Sequence, residues 1–289
     1  MDLFELFADE RVSDILVNST APIVVDRSGQ LIETDKKFES EQVVQEFAKQ
    51  LFENNYERID FSKPFAETTI KTDYGTVRVH ASLGEQCSVG TQISFRRHSN
   101  HLKTLSELEL AGCISSAQHA LITEILKSRK NFVIVGSTGS GKTTLLRAML
   151  NAVSTERIIT IEDSLELGVL NSVSLHSRAA NQEGFGEISL EKLVKEALRM
   201  RPDRIAVGEA RGEELAVLLQ AMNTGHTGAG FTLHANGVDE VVPRMLSMLA
   251  RSGITPSLGR MMIASAIDYV LLMNKNPRVL SAVEPLVLR

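Results

Sequence analysis

The chain has 289 residues, 43% of them hydrophobic and 23% charged, a balance that suits two globular domains and argues against a disordered chain. A formal net charge of -5 gives no basic balance for gripping phosphate backbones, so nucleic acid is not expected as the main partner. Cys87 and Cys113 form no CxxC pair and are expected as reduced thiols. The start, MDLFELFADE, lacks the basic and apolar regions of a secretory signal. No apolar run approaches the roughly 20 residues of a membrane helix. A cytoplasmic protein with no direct membrane span is expected.

In chain order, Asp14–Asn18 and Ile23–Arg27 alternate as short strands, with Ser28-Gly29 a hairpin turn before Leu31-Ile32. Val43, Val44, Phe47 and Leu51 recur at helical spacing over residues 40–53. Two alternating stretches flank Asp73-Tyr74-Gly75, and a further strand covers Gln92–Arg96. Residues 1–100 thus predict a small α+β domain with an antiparallel sheet. A polar stretch without periodicity, from about His98 to Thr104, marks a linker, placed at 101–108 between the domains. From 109 to 289 the reading changes. Apolar strands at Phe132–Val135, Ile158–Ile161, Arg204–Val207, Phe231–His234 and Tyr269–Leu272 alternate with helical faces. Leu190, Leu193, Val194, Ala197 and Leu198 share one such face, and Leu215, Leu218, Leu219 and Met222 another. Such alternation predicts an α/β domain with a mostly parallel sheet covered on both faces.

Gly136-Ser137-Thr138-Gly139-Ser140-Gly141-Lys142-Thr143 fits GxxxxGK[ST], and it lies between an apolar strand and a helix bearing Leu145, Leu146 and Met149. Glycines let successive amides turn toward one point, and the helix N-terminus adds partial positive charge. Lys142 would reach the β- and γ-phosphates and the Thr143 hydroxyl would bind Mg²⁺, with Thr144 completing the cradle. ATP and Mg²⁺ are the expected cofactors, in a RecA-like P-loop domain.

Hydrolysis needs carboxylates and a water-orienting group beside that loop. Arg204–Val207 is followed by Gly208-Glu209, and Ile158–Ile161 leads into Glu162, Asp163 and Glu166. Thr224–Gly230 and Phe231–Ala235 carry His226 and His234 around a glycine-rich bend, read as a loop ending beside the nucleotide. Their spacing does not suit zinc.

These segments, in this order, resemble the secretion ATPase superfamily of type II and type IV systems. That superfamily has a Walker A loop, an acidic Asp box, a Walker B ending in Gly-Glu and a His box. The resemblance is strongest to CpaF-like ATPases of tight-adherence (Tad) pili. Val12–Asn18, Arg78–Ala81, Ser94–Arg97, Ile161–Leu167, Met200–Gly212, Met222–His226, Thr232–Asn236 and Ile263–Asp268 carry it. It implies a general base or water-orienting group at Glu166, and Glu209 beside the Mg²⁺ water shell, with the division between them open. It implies His234 at the γ-phosphate with His226 behind it, and Arg78 and Arg96 reaching the nucleotide from the N-terminal domain, Arg97 serving as an alternative to Arg96. It further implies a homo-oligomeric ring of six at the inner membrane, bound to a platform protein, that drives pilus assembly or secretion. Thr227 departs from the acidic residue common after Thr-Gly-His. A nucleic-acid translocase and a non-hydrolysing nucleotide-binding ring are the competing readings.

Overall fold

The computed structural model describes residues 2–55, 57–84, 89–97, 103–178 and 185–287. They form two compact units, Met1–His101 and Leu102–Arg289. Cys87 and linker residues 98–102 lie outside the described residues, while the expected linker's 105–108 portion is helical.

In the first unit, β1 (Val12–Asn18), β2 (Val24–Arg27) and β3 (Gln30–Glu33) precede helix α1 (Glu41–Glu53). Then come β4 (Phe65–Thr72), β5 (Gly75–Ser82) and β6 (Gln92–Arg97). All pairings are antiparallel, in the order β3-β2-β1-β6-β5-β4. Alternation sorts the faces. Ile15, Val17, Val77, Val79, Ile93 and Phe95 are buried with Val44, Ala48 and Phe52 of α1. Ser40 caps α1 by accepting the Val43 N–H. On the opposite face Arg78 stands directly across from Arg96, which in turn faces Asp14.

The second unit contains α2 (Leu105–Leu110), α3 (Ser116–Lys127), β7 (Phe132–Gly136), α4 (Lys142–Asn151), β8 (Ile158–Glu162) and β9 (Val173–His176). These are followed by α5 (Leu190–Ala197), β10 (Arg204–Val207), α6 (Glu214–Asn223), β11 (Gly230–Leu233), α7 (Val241–Arg251), α8 (Pro256–Ala266), β12 (Tyr269–Asn274) and β13 (Val279–Pro285). The sheet order is β13-β12-β7-β11-β10-β8-β9, parallel except for β13. Every residue of β7, β8, β10 and β11 is buried, because helices cover both faces and leave no solvent side to alternate toward. This is the RecA-like α/β architecture expected from the sequence, with β9 and β13 as additional edge strands and α2, α3, α7 and α8 as additional helices.

Candidate nucleotide site

β7 ends at Gly136, and the chain reaches α4 through Gly139 and Gly141, all three with positive φ. A Cβ on Gly136 would lie 2.3 Å from the Met273 carbonyl oxygen and 2.7 Å from Ser140 Oγ, so only glycine lets the loop lie this close to β12. No side chain caps α4 at Gly141, which leaves its first-turn amides and the positive end of its dipole directed at the loop. Lys142 is 7% exposed, and its Nζ donates to the Gly136 and Ser137 carbonyls at 3.0 Å each. Burial pushes the Lys142 pKa down, while the charge of Glu209 pulls it up. Ser140 Oγ is buried with no hydrogen-bond partner among the described residues. Ser137, Thr138, Gly139 and Thr144 are exposed, and Thr143 is half-buried in the first turn of α4. Uncapped amides, a buried ammonium and a first-turn hydroxyl fit a magnesium-bound triphosphate.

Because β7, β8, β10 and β11 are parallel, their C-terminal ends share one edge of the sheet. β10 leads into Glu209 and β11 into His234, and His234 Nε2 lies 2.8 Å from Glu209 Oε1. A carboxylate only accepts, so the proton of the neutral ring sits on Nε2. Burial lowers the His234 pKa; Glu209 opposes this, and Lys142, Arg211 and Arg244 add to it. Arg211 donates to Glu209 Oε2 at 2.6 Å and to Asp163 Oδ2 at 3.1 Å. Together these contacts tie the ends of β8, β10 and β11 into one polar cluster. Gly136, Ser137, His234, Asn236 and Arg244 help line an adjoining cavity of about 240 Å³.

The acids after β8 divide between two environments. Glu162 is 3% exposed, and its Oε2 accepts the backbone N–H groups of Glu166 at 2.8 Å and Leu167 at 2.7 Å. Its Oε1 is buried without a partner among the described residues, and burial pushes its pKa up to about 7. Glu166 is half-buried on the turn that Glu162 holds, and Asp163 is exposed.

Two of the sequence expectations are corrected. The Thr224–Gly230 bend enters β11 at its N-terminal end, so His226 stands at the opposite edge of the sheet from Gly136–Thr144 and not behind His234. There Phe132 N donates to Ala229 O at 3.1 Å, and the Gly228 carbonyl accepts from Arg204 at 3.3 Å. Arg97 is committed elsewhere. Its guanidinium donates to the carbonyls of Phe7, Asp9, Glu10 and Val12 and stands 5.2 Å from the Phe7 ring centroid. It is a structural clamp on the N-terminal segment, not an alternative to Arg96. Arg78 and Arg96 themselves pair with Glu67 and Asp14, each at 2.7 Å. Arg211 was not among the candidates; the signal for it is a cation two residues beyond a strand-terminal glutamate.

A RecA-like sheet with a glycine loop, buried lysine and strand-end acids along its C-terminal edge defines the class: a P-loop nucleotide-binding protein. The chain belongs to the Type II/IV secretion system protein family, whose sequence model matches residues 3–276. It is 39% identical over 272 residues to a Mycobacterium tuberculosis (strain H37Rv) protein named for conjugal transfer, covering 92% of this chain and 77% of the relative. It is 37% identical over 158 residues to the type IV secretion system protein VirB11 of Bartonella henselae, covering 52% of this chain and 44% of that one. Among solved structures, the pilus retraction motor PilT with bound ADP superposes with a TM-score of 0.69 at 20% identity, covering 94% of this chain and 78% of PilT. The Legionella pneumophila ATPase DotB gives a TM-score of 0.66 at 23% identity, covering 94% and 74%. At these identities the structural likeness bears on the fold alone.

Proposed function

We propose that the protein is a magnesium-dependent ATPase that drives a secretion or pilus-assembly machine of the Tad type, working as a homo-oligomeric ring, of six subunits by resemblance. The observation that carries this reading is the convergence of the glycine loop, the Glu209–His234 pair and the Glu162-anchored turn on one sheet edge. The amides of residues 136–143 hold the phosphates and Lys142 neutralises their charge, exchanging its loop carbonyls for phosphate oxygens. Thr143 and Glu209 would hold Mg²⁺, the latter through water, and the ion would offset charge on the transferring phosphoryl group. Glu166 orients or deprotonates the attacking water. His234, neutral and donating from Nε2, senses the γ-phosphate by exchanging Glu209 for a phosphate oxygen.

Arg78 and Arg96 supply cations from the N-terminal unit. Arg78 meets Glu67 and Arg96 meets Asp14 in partly exposed pairs, which are individually of small worth. No described helix is long and apolar enough to cross a membrane. The proposed place of work is the cytoplasmic face of the inner membrane, on a platform protein.

Phosphate release by the purified chain with ATP and Mg²⁺ tests the reading. The parent should turn over, with little stimulation by DNA. Glu166→Gln should keep nucleotide affinity while losing about 10²–10⁴-fold in rate, the usual worth of a positioned base. A parent that releases no phosphate ends the ATPase reading; a variant at the parent rate ends the role of Glu166.

A further inference from the structure

We infer that Arg211 is a positioning residue that ties the turn carrying Glu166 to the β10 end through Asp163. The inference rests on the reading of this edge as an ATPase site. The segment between β8 and β9 runs from Asp163 to Ser172 and exposes Leu165 and Leu170, so apolar packing does not hold all of it in place. Glu162 anchors it from within the protein, by accepting the amides of residues 166 and 167. On the solvent side Asn151 Oδ1 accepts the Leu170 N–H at 3.0 Å, the Ser177 hydroxyl donates to Asp163 Oδ1 at 3.1 Å, and the link to β10 is the guanidinium of Arg211. One of its nitrogens meets Asp163 Oδ2 at 3.1 Å and the other meets Glu209 Oε2 at 2.6 Å.

The base of Arg211 is fixed. Buried Glu214, in the first turn of α6, accepts the backbone N–H groups of Arg211 and of Gly212, the latter at 2.8 Å. A guanidinium presents a planar fork that spans two carboxylates at once, which a lysine ammonium cannot do with the same geometry. Arg211 thus joins the Glu209–His234 pair to Asp163, at the start of the turn that bears Glu166. The alternative role, direct contact with phosphate, would require Arg211 to leave both acids and would make its loss a loss of affinity.

The distinguishing experiment uses the full chain and three variants, Arg211→Ala, Arg211→Lys and Asp163→Asn, with the double variant Arg211→Ala/Asp163→Asn. Arg211 is 61% exposed at the side chain, so the variants should melt close to the parent. Expected are a fall in kcat of about 10–100-fold for Arg211→Ala and Asp163→Asn and a nucleotide Kd within about threefold of the parent. The double variant should be no slower than the worse single one. Arg211→Lys should recover only part of the rate.

Hydrogen exchange at the Glu166 and Leu167 amides, measured without nucleotide, should quicken in Arg211→Ala and Asp163→Asn alike. That readout stands even if the parent hydrolyses nothing, so a failed ATPase reading and a failed positioning role give different results. Unchanged exchange, additive losses in the double variant, or a weakened Kd at constant kcat would each overturn the inference.

Discussion

The two edges of the parallel sheet handle charge in opposite ways. At the N-terminal edge Arg204, Asp268 and Asn131 are each satisfied by a neighbour. Arg204, its side chain 1% exposed, donates to both oxygens of Glu156 and to the carbonyls of Leu126 and Gly228. Asp268 accepts from Lys130 and from the Asn131 amide, and Asn131 bridges Ala266 O and Ala229 N. At the C-terminal edge, Ser140 Oγ and Glu162 Oε1 are buried without partners among the described residues, and Lys142 is bonded to loop carbonyls instead of a carboxylate. Buried polar groups that lack partners are costly, so their concentration at one end of the strands marks that end for a ligand. The closed network at the other end marks structure. His226 stands at the structural edge and His234 at the chemical one, although eight positions of sequence and a shared motif suggest a common role.

Substitution at each edge sharpens this contrast. Arg204→Ala should destabilise the fold by about 3 kcal/mol, the lower end of the cost of breaking a buried pair, because Arg129 remains at 2.7 Å to neutralise Glu156. Chemical denaturation reads the loss, and nucleotide affinity of the folded fraction should be unchanged. A loss below about 1 kcal/mol would show that the N-terminal edge is not a stability element.

Glu162 gives a pH-dependent version of the same comparison. Its pKa rises from 4.5 to about 7 on folding, so between those values the folded chain keeps a proton that the unfolded chain releases. Stability must then fall as pH climbs through that window, by on the order of 3 kcal/mol. Glu162→Gln keeps an oxygen for the amides of residues 166 and 167 and should remove that part of the slope. Equal slopes in parent and variant would place the titration elsewhere. The smallest effect is expected at His226, where replacement by alanine should leave stability within about 0.5 kcal/mol and turnover at the parent value. A large loss of turnover would return that residue to the site.

The contrast also explains which features were legible in the sequence. The glycine loop is local, eight consecutive residues whose types dictate their backbone, and it was read in full. β7, β8, β10 and β11 announced themselves as apolar runs because both faces are covered. β9 escapes the sequence because Val173–His176, two half-buried residues alternating with two exposed ones, carry too short a pattern, and antiparallel β13 because nothing local fixes its pairing with β12. Helices α2 and α3 do carry capping boxes, Thr104 with Glu107 and Ser115 with Gln118, a signal that could have found them.

Side-chain commitments over long sequence distances were not legible. Arg97 reaching carbonyls some 85–90 positions away, and Arg211 meeting Asp163 48 positions back, depend on which strands become neighbours. Sequence order puts His226 before β11, but only the parallel pairing of β11 with β7 and β10 shows that this end lies away from the glycine loop.

The most direct measurement is titration of a fluorescent ATP analogue with Mg²⁺ into the parent chain and Lys142→Ala, followed by phosphate release from ATP. Saturable binding and turnover in the parent, with turnover abolished and affinity weakened by tenfold or more in the variant, is the expected result. Equal binding and turnover by the two proteins would contradict the assignment of the C-terminal edge as the nucleotide site.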